Sequence, residues 1–434
     1  MKVVAVIPVK STSSRIESKN IKILANKPLF IHTLEKVLDI KELDEVWIDT
    51  DDINIINTAK EYGLQNFKYF IRDKKYADNN TDGNILLENE INNINADIYL
   101  QILVTSPFTK KNTIKNIIKL MIENNCKSIA GCFKENFYLW DNKGPLYNTH
   151  KIPNSNDLDK TIIESMSIYA TTKDNFIKTK KRVSEDTIPY FLENEEKIDI
   201  NNIDDFILAN KIAIYNKYEE QQQFNNLKIK LNSSIISDIL TDLGIKNRII
   251  KNFNLNLQNK KIFGRVKPIQ IREKHQNENF KDIYKCLNSY ETISHGDIIF
   301  VNNPLKQKAY FGDLNATIAI TKGCQGTIIN GYTRDLDRVN KLDYPILYKN
   351  NTCDDVKYNA VLDFYDKPIV VDDITIYVND LLFADIDGII IIPRNVEQKV
   401  LELCKKTIIT ESNISNSILL GINIKEILQN FGSF

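Results

Sequence analysis

Apolar positions along the chain follow two rhythms. Val3-Val4-Ala5-Val6-Ile7 is an unbroken, largely β-branched run and predicts a strand buried on both faces. Over 28–38, Leu29, Ile31, Leu34, Val37 and Leu38 return at helical spacing, and His32 among them reads as a partner of local polar groups. A strand ending in acids follows at 44–52, then a helix through Ile55, Ile56 and Ala59 closed by Gly63, then a strand at 67–71. The same alternation continues with a helix at 85–94, a strand from 98 that runs into Thr105-Ser106-Pro107, a helix at 113–121 and a strand at 127–133. It predicts an α/β fold, with a parallel sheet covered by helices on both faces. Between 137 and 159 the rhythm is lost, yet Phe137, Tyr138, Leu139, Trp140, Leu146 and Tyr147 exceed what a solvated loop needs.

A helix at 204–218 ends the first half, and the polar run Glu219-Glu220-Gln221-Gln222-Gln223 reads as a hinge. A chain of 434 residues calls for two cores, and the hinge divides it into domains at 1–220 and 224–434. The second half predicts a helix at 234–243 closed by Gly244, a strand at 263–268, a helix at 280–290 and a strand reaching Asn302. A helix then starts at Gly312-Asp313 and stops at Gly323, a buried strand spans 326–329, and a helix covers 396–404. The tail, 418–434, has helical spacing at Ile424, Ile427 and Leu428, suited to packing on a neighbouring subunit.

Composition narrows the function classes. Lys plus Arg and Asp plus Glu are each 57, so no basic field points to nucleic acid. Six cysteines are scattered without a CxxC and only four histidines occur, which argues against structural zinc, disulfides and a histidine metal site. The start reads as a strand rather than a signal peptide, and no apolar run reaches transmembrane length, so the cytoplasm is the expected location.

Candidate chemistry gathers at loops after strands. Lys10, Arg15 and Lys19 share the first loop with Ser13 and Asn20. That loop has no glycine and matches neither common phosphate-loop pattern, but cations and backbone amides alone suit a triphosphate; the alternative is a solvated loop. Arg72 and the loop 78–84 follow the third strand, where Thr81, Asp82 or Asn84 caps the next helix. In the second half, the amides that start a helix at Gly312-Asp313 can hold an anion, Arg334 can fork a carboxylate and Asp335 can ligate a metal; the alternative is a surface Arg–Asp pair beside a cap.

Pro8, Lys10, Ser13, Arg15, Lys19 and Asn20 together resemble the nucleotide-binding loop of the sugar-acid cytidylyltransferases, which make CMP-activated acylneuraminates and 3-deoxy-octulosonates. Lys10 stands where that family usually has Arg, which keeps the charge and loses the bidentate fork. Arg72 and Thr81 fall where the family approaches base and phosphate. Thr105-Ser106-Pro107 resembles its TSP segment, with Gln101 on the preceding strand, and 137–159 its dimer arm. Glu164-Ser165-Met166-Ser167-Ile168-Tyr169 stands where Asn-Gly-x-x-Tyr is usual. Asp199-Ile200-Asn201 resembles the family's DID metal motif with Asn201 in place of the second acid. The resemblance implies a three-layer, Rossmann-like nucleotide-diphospho-sugar transferase domain acting on CTP and a 2-keto-3-deoxy sugar acid. Lys10, Arg15 and Lys19 would serve catalysis, with Mg²⁺ on Asp199 and Asn201.

Gly312, Asp313, Arg334 and Asp335, with 344–346 and 382–393, resemble the family of class II 4-hydroxy-4-methyl-2-oxoglutarate aldolases, oxaloacetate decarboxylases and the regulator of ribonuclease E. This implies an α/β domain of the swivelling type, found in trimers or hexamers. Arg334 would bind a 2-keto-acid carboxylate, and Asp335 would hold Mg²⁺ with Asp313 behind it. Departures are Val378-Asn379-Asp380, where Pro-Gly-Asp is usual, and Asn302, where Asp is common. The expectation is a CMP-sugar synthetase acting on a nonulosonic acid, fused to a Mg²⁺-dependent lyase and assembled as a homo-oligomer. The alternatives are a non-catalytic oligomerisation or regulatory second domain, an octulosonate as the activated acid, and a non-enzymatic binding protein throughout.

Overall fold

A computed structural model describes residues 1–78, 81–123 and 125–432. Asn79 and Asn80 of the expected 78–84 loop, and the last two residues of the tail, lie outside the described residues. The chain divides into two compact units, one of residues 1–60 and 64–213, the other of 61–63 and 214–434.

The first unit is built on a seven-stranded sheet. Its order is Thr187–Phe191, Ser128–Asn136, Lys160–Thr172, Ile98–Ile102, Val3–Val9, Glu45–Thr50, Lys68–Ile71. Lys160–Thr172 runs antiparallel to both its neighbours, while Val3–Val9 pairs in parallel with Glu45–Thr50 and with Ile98–Ile102. Val3–Val9 is central, and Val4, Ala5, Val6 and Ile7 are fully buried, as a run with no polar alternation requires. One face carries Leu87, Ile91 and Ile94 of the helix Gly83–Asn93 and its end against Val4, Val6 and Tyr99. The cap of that helix is Asp82, whose carboxylate accepts from the Asn84 and Ile85 amides. His32 is half-buried with Nε2 2.9 Å from the Leu24 carbonyl, and desolvation of the ring pushes its pKa down to about 3. The 137–159 stretch forms a small hairpin of Trp140–Asp141 with Gly144–Pro145, then a short 3₁₀ turn at Ser155–Asp157.

The second unit holds a ten-stranded mixed sheet. Ile262–Glu273, Asp297–Asn302, Gly326–Thr333 and Ile346–Asn351 run parallel, and the hairpin Leu381–Asp385/Gly388–Ile392 adds antiparallel strands beside the first of them. One face packs against Ile283, Cys286 and Tyr290 of the 3₁₀-wound run Phe280–Thr292 and against Ala316 and Ala319 of the helix Asp313–Thr321.

Two expectations about element boundaries are corrected, at 219–223 and at 396–404, while the helical spacing of the tail is borne out. Residues 219–223 are not a hinge: they belong to one helix, Ile203–Lys228, and the units divide between 213 and 214. Gln221 is buried and donates to the Phe263 carbonyl at 2.9 Å, and Glu220 pairs with Arg265 at 2.6 Å. Glutamate and glutamine are good helix formers, so their polarity marks a hydrogen-bonded helix face here. The helix expected at 396–404 extends over Arg394–Leu419. The tail beyond it forms a separate helix, Ile424–Phe431.

Candidate functional site

The loop after Val3–Val9 is fixed from both ends. Asp51, just past the neighbouring strand, accepts from the Ser11 amide at 2.8 Å and the Ser11 hydroxyl at 2.6 Å. Burial raises the Asp51 pKa, but these two bonds and its other partners outweigh it and hold the carboxyl below its ordinary value. Asn20 donates to the Lys10 carbonyl at 2.8 Å, and Ser18 adopts φ 50° to turn the chain into the 3₁₀ turn Lys19–Ile21.

The DID-like segment meets this loop. Lys19 is buried and donates to the Ile200 carbonyl at 2.8 Å. Its pKa is lowered by burial and then by Arg15, against the pull of Asp199. Arg15 Nη1 donates to Asn201 Oδ1 at 2.7 Å, and Asn201 Nδ2 donates to Asp199 Oδ2 at 2.6 Å. The other oxygen, Asp199 Oδ1, is buried without a hydrogen-bond partner. Asn202 and Asp205 close the start of the following helix reciprocally, each accepting from the other's amide at 3.0 Å, while Asp205 also accepts from the Asn201 amide. The Ile200 amide donates to the Thr105 carbonyl at 2.9 Å, which joins the TSP loop to the same place. Ser106 is buried with an unpartnered hydroxyl, and Ser13 is half-buried in the first loop. Lys36 donates to the Pro107 carbonyl, and burial followed by repulsion from Lys27 pushes its pKa down to about 7. Arg15, Lys19, Asp199, Asn201 and Thr105 are thus brought together, with Lys10 and Asn20 on the same loop.

Arg72 and Gln101 are placed differently. Arg72 is buried, with Nη2 donating to the Asp49 carbonyl at 3.0 Å and Nε 3.2 Å from Asp49 Oδ1. Gln101 Nε2 donates to both oxygens of Glu90, at 3.1 and 3.0 Å. Burial pushes Asp49 up to about 6 and raises Glu90 as well, since the two acids share one dry space. Thr81 donates from its hydroxyl to the Lys75 carbonyl at 2.9 Å. Arg182, which sequence reasoning passed over, donates from Nη1 to Gln101 Oε1 at 3.1 Å. Its position in the basic run Lys178–Arg182 carried no periodic or motif signal.

The second unit assembles its own charged cluster. Asp335 has φ 57° and precedes the helix Leu336–Lys341. A Cβ on Gly312 would stand 2.6 Å from Asp335 Oδ2, so a larger residue there would have to displace the Asp335 carboxylate. Arg334 lies with Nε 3.4 Å from Asp335 Oδ2 and Nη1 2.5 Å from Asp355 Oδ2. Asp313 Oδ2 is 3.2 Å from Arg338 Nη1. Asp355 and Arg338 were not evident from sequence, because their roles come from pairing with Arg334 and Asp313 in the folded state. At the two departures, Asn302 bridges Gln270 and Asn330 across three strands at 2.8 and 2.7 Å, and Asn379 takes φ 63° where glycine is usual. Among the described residues, no group of three or more His, Cys, Asp or Glu is placed to hold a metal ion, and no helix is long and apolar enough to cross a membrane.

The chain belongs to the cytidylyltransferase family, a class of nucleotidyltransferases, whose model matches residues 4–235 and so spans the seven-stranded sheet and the loops that follow its strands. A second family model, Aldolase/RraA, matches residues 233–391. The chain is 26% identical over 245 residues to the CMP-N,N'-diacetyllegionaminic acid synthase of Legionella pneumophila, covering 50% of this chain and 98% of that protein. It is 26% identical over 222 residues to the pseudaminic acid cytidylyltransferase of Campylobacter jejuni, covering 48% and 95%. It is also 27% identical over 175 residues to a putative 4-hydroxy-4-methyl-2-oxoglutarate aldolase of Halalkalibacterium halodurans, covering 40% of this chain and 78% of that one.

Proposed function

We propose that the first unit transfers CMP from CTP to a nonulosonic acid, a 2-keto-3-deoxy sugar acid. The anomeric hydroxyl oxygen bonds to the α-phosphorus, the bond between the α-phosphorus and its bridging oxygen breaks, pyrophosphate leaves and the hydroxyl proton passes to solvent. Family membership and the names of the Legionella and Campylobacter relatives support this reading. The observation that carries it is the convergence of Arg15, Lys19 and the unpartnered Asp199 oxygen on one loop junction. Charge accumulates on the five-coordinate phosphorus and on the leaving group, and cations fixed beforehand stabilise it without reorganising. Arg15 and Lys19 are held in that way by Asn201 and Ile200, and Lys10 sits at the loop's start.

A buried carboxylate oxygen without a donor suits a hard cation, so Asp199 fits Mg²⁺. When bound, the ion supplies charge neutralisation at the phosphate oxygens. Asn201 has its carbonyl engaged by Arg15 and would ligate only after releasing it. Pyrophosphate release from CTP, measured with a panel of nonulosonic and octulosonic acids, tests the reading. Release with octulosonates alone would move it to the other acid class, and release with none would overturn it.

For the second unit we infer binding of a 2-keto acid at Arg334, on the strength of the Aldolase/RraA match and the Gly312–Asp335 packing. Asp335 and Asp313 each already face a cation, so the residues present do not make a metal cage, and we derive no metal step there. Pyruvate release from 2-keto acids by the full chain with Mg²⁺ supports a lyase; its absence leaves an oligomerisation or regulatory unit. Assembly is proposed as a dimer through 137–159, where Trp140, Leu146 and Ile152 are exposed, with trimers or hexamers through the second unit.

A further inference from the structure

Arg182 is a guanidinium in an unusual setting. Its backbone amide is fixed by Asn84 Oδ1 at 2.7 Å. Its guanidinium carbon lies 3.8 Å from the centre of the Tyr169 ring, a stacked cation. Gly83 also lies against it: a Cβ there would come within 2.4 Å of the same carbon, so this glycine leaves room for the arginine. Nη1 is taken by Gln101, whose amide is turned the right way by its own donation to Glu90. Nη2 meets only the Met166 sulfur, at 3.8 Å, and Nε makes no hydrogen bond. Among the described residues, no carboxylate pairs with Arg182. Nε and Nη2 form the side edge of a guanidinium, the edge that grips a carboxylate through two parallel bonds.

The surroundings point the same way. The strand Lys160–Thr172 bulges between Glu164 and Tyr169, and Met166 in the bulge adopts φ 50°. Tyr169 donates to Glu164 and lies 2.9 Å through its hydroxyl from Met166 sulfur. Ser167, in the same bulge, accepts from the Leu103 amide at 2.9 Å, directly before the Thr105-Ser106 loop. The bulge therefore carries Tyr169 and Met166, the bed of Arg182, beside the loop that reaches Asp199.

We propose that Arg182 takes the carboxylate of the acceptor sugar acid through its Nε–Nη2 edge, and so selects acids over neutral sugars. This rests on the reading of the first unit as a CMP transferase. Tyr169, Gln101 and Gly83 are positioning residues, which fix the plane of the fork. The assignment names a group on the acceptor, not on CTP, and that difference makes it separable.

The test is calorimetric titration of N-acetylneuraminate and 3-deoxy-manno-octulosonate, and of their methyl esters, into the full chain with CTP present and Mg²⁺ withheld, so that nothing turns over. Wild type is expected to bind at least one acid, and its ester at least tenfold more weakly. Arg182→Gln is expected to bind that acid at least tenfold more weakly, with no preference over the ester and with CTP affinity unchanged. Arg182→Lys, which keeps charge without the fork, falls between them and serves if the glutamine variant does not fold. Equal binding of acid and ester by wild type, undiminished binding by either variant, or no binding of either acid overturns the assignment. The transferase reading is judged separately, by CTP binding and pyrophosphate release.

Discussion

Arg15 reaches Asn201 across 186 positions of sequence, with 2.7 Å between Nη1 and Oδ1. Through Asn201 the guanidinium is linked to Asp199, so the cation expected on phosphate and the acid expected on metal are joined by one neutral amide. An acid in place of Asn201 would bind Arg15 as an ion pair. The amide keeps Arg15 oriented and leaves its charge less neutralised.

Truncating the two cations follows from that arrangement. R15A and K19A are each expected to lower kcat for pyrophosphate release by about 10²–10³, the usual effect of removing one fixed transition-state donor. D199A is expected to lower activity similarly. N201D adds a second carboxylate oxygen pair beside Asp199, and is expected to lower the Mg²⁺ concentration giving half-maximal activity. An unchanged Mg²⁺ titration in N201D and D199A would remove the ion from this place.

Lys36 gives a pH signature. Its pKa in the fold is about 7, below the ordinary 10.5, because the ammonium is buried against the Pro107 carbonyl and faces Lys27. Between those values the unfolded chain binds a proton that the folded chain has released. Lys36 therefore disfavours folding below pH 7, and stability rises with pH across 7 to 10.5. Thermal melts should show that rise, and K36M, which removes the titrating group, should flatten it. A slope identical in K36M would show that Lys36 keeps its charge in the fold.

The arm is testable by its apolar surface. Trp140 is 67% exposed and Leu146 62%, more than isolated side chains on an otherwise polar hairpin need. W140D and L146D together are expected to shift the chain toward smaller assemblies in sedimentation velocity, while each changes the unfolding free energy by no more than about 0.5 kcal/mol, as for exposed sites. If the distribution of species is unchanged, the arm is not an interface.

How far the sequence reached depends on how local each signal was. Val3–Val9 was legible because a central parallel strand must be apolar on both faces, and Asp82 was among three possible caps because capping is a short-range matter. The Arg15–Asn201 junction was reachable only through family resemblance, since no local rule joins residues so far apart. The helix through 219–223 was missed because burial of Gln221 depends on the Phe263 carbonyl, a tertiary partner. Arg182 was missed for the same reason: beside Lys178, Lys180 and Lys181 it looks solvated, and only Tyr169, Gly83 and Gln101 make it singular.

In the second unit, Arg334 is held by a carboxylate of its own chain. Asp355 Oδ2 lies 2.5 Å from Nη1, and its other oxygen accepts from the Lys357 amide at 2.6 Å, so Asp355 is fixed in place. A 2-keto acid binding Arg334 must displace or share that partner. The pair is only partly buried, and solvent weakens it enough for a forked ligand to compete. D355N keeps the shape and the oxygen facing Arg334 while removing the charge. It is expected to bind oxalate, a mimic of the pyruvate enolate, several-fold more tightly than wild type in calorimetric titration, whereas R334A is expected to bind none. Tighter binding in D355N without pyruvate release would assign the unit to 2-keto-acid sensing; release that is faster in D355N would assign it to lysis. Equal oxalate affinity in wild type, D355N and R334A would mean that the arginine serves only the Asp335–Asp355 network.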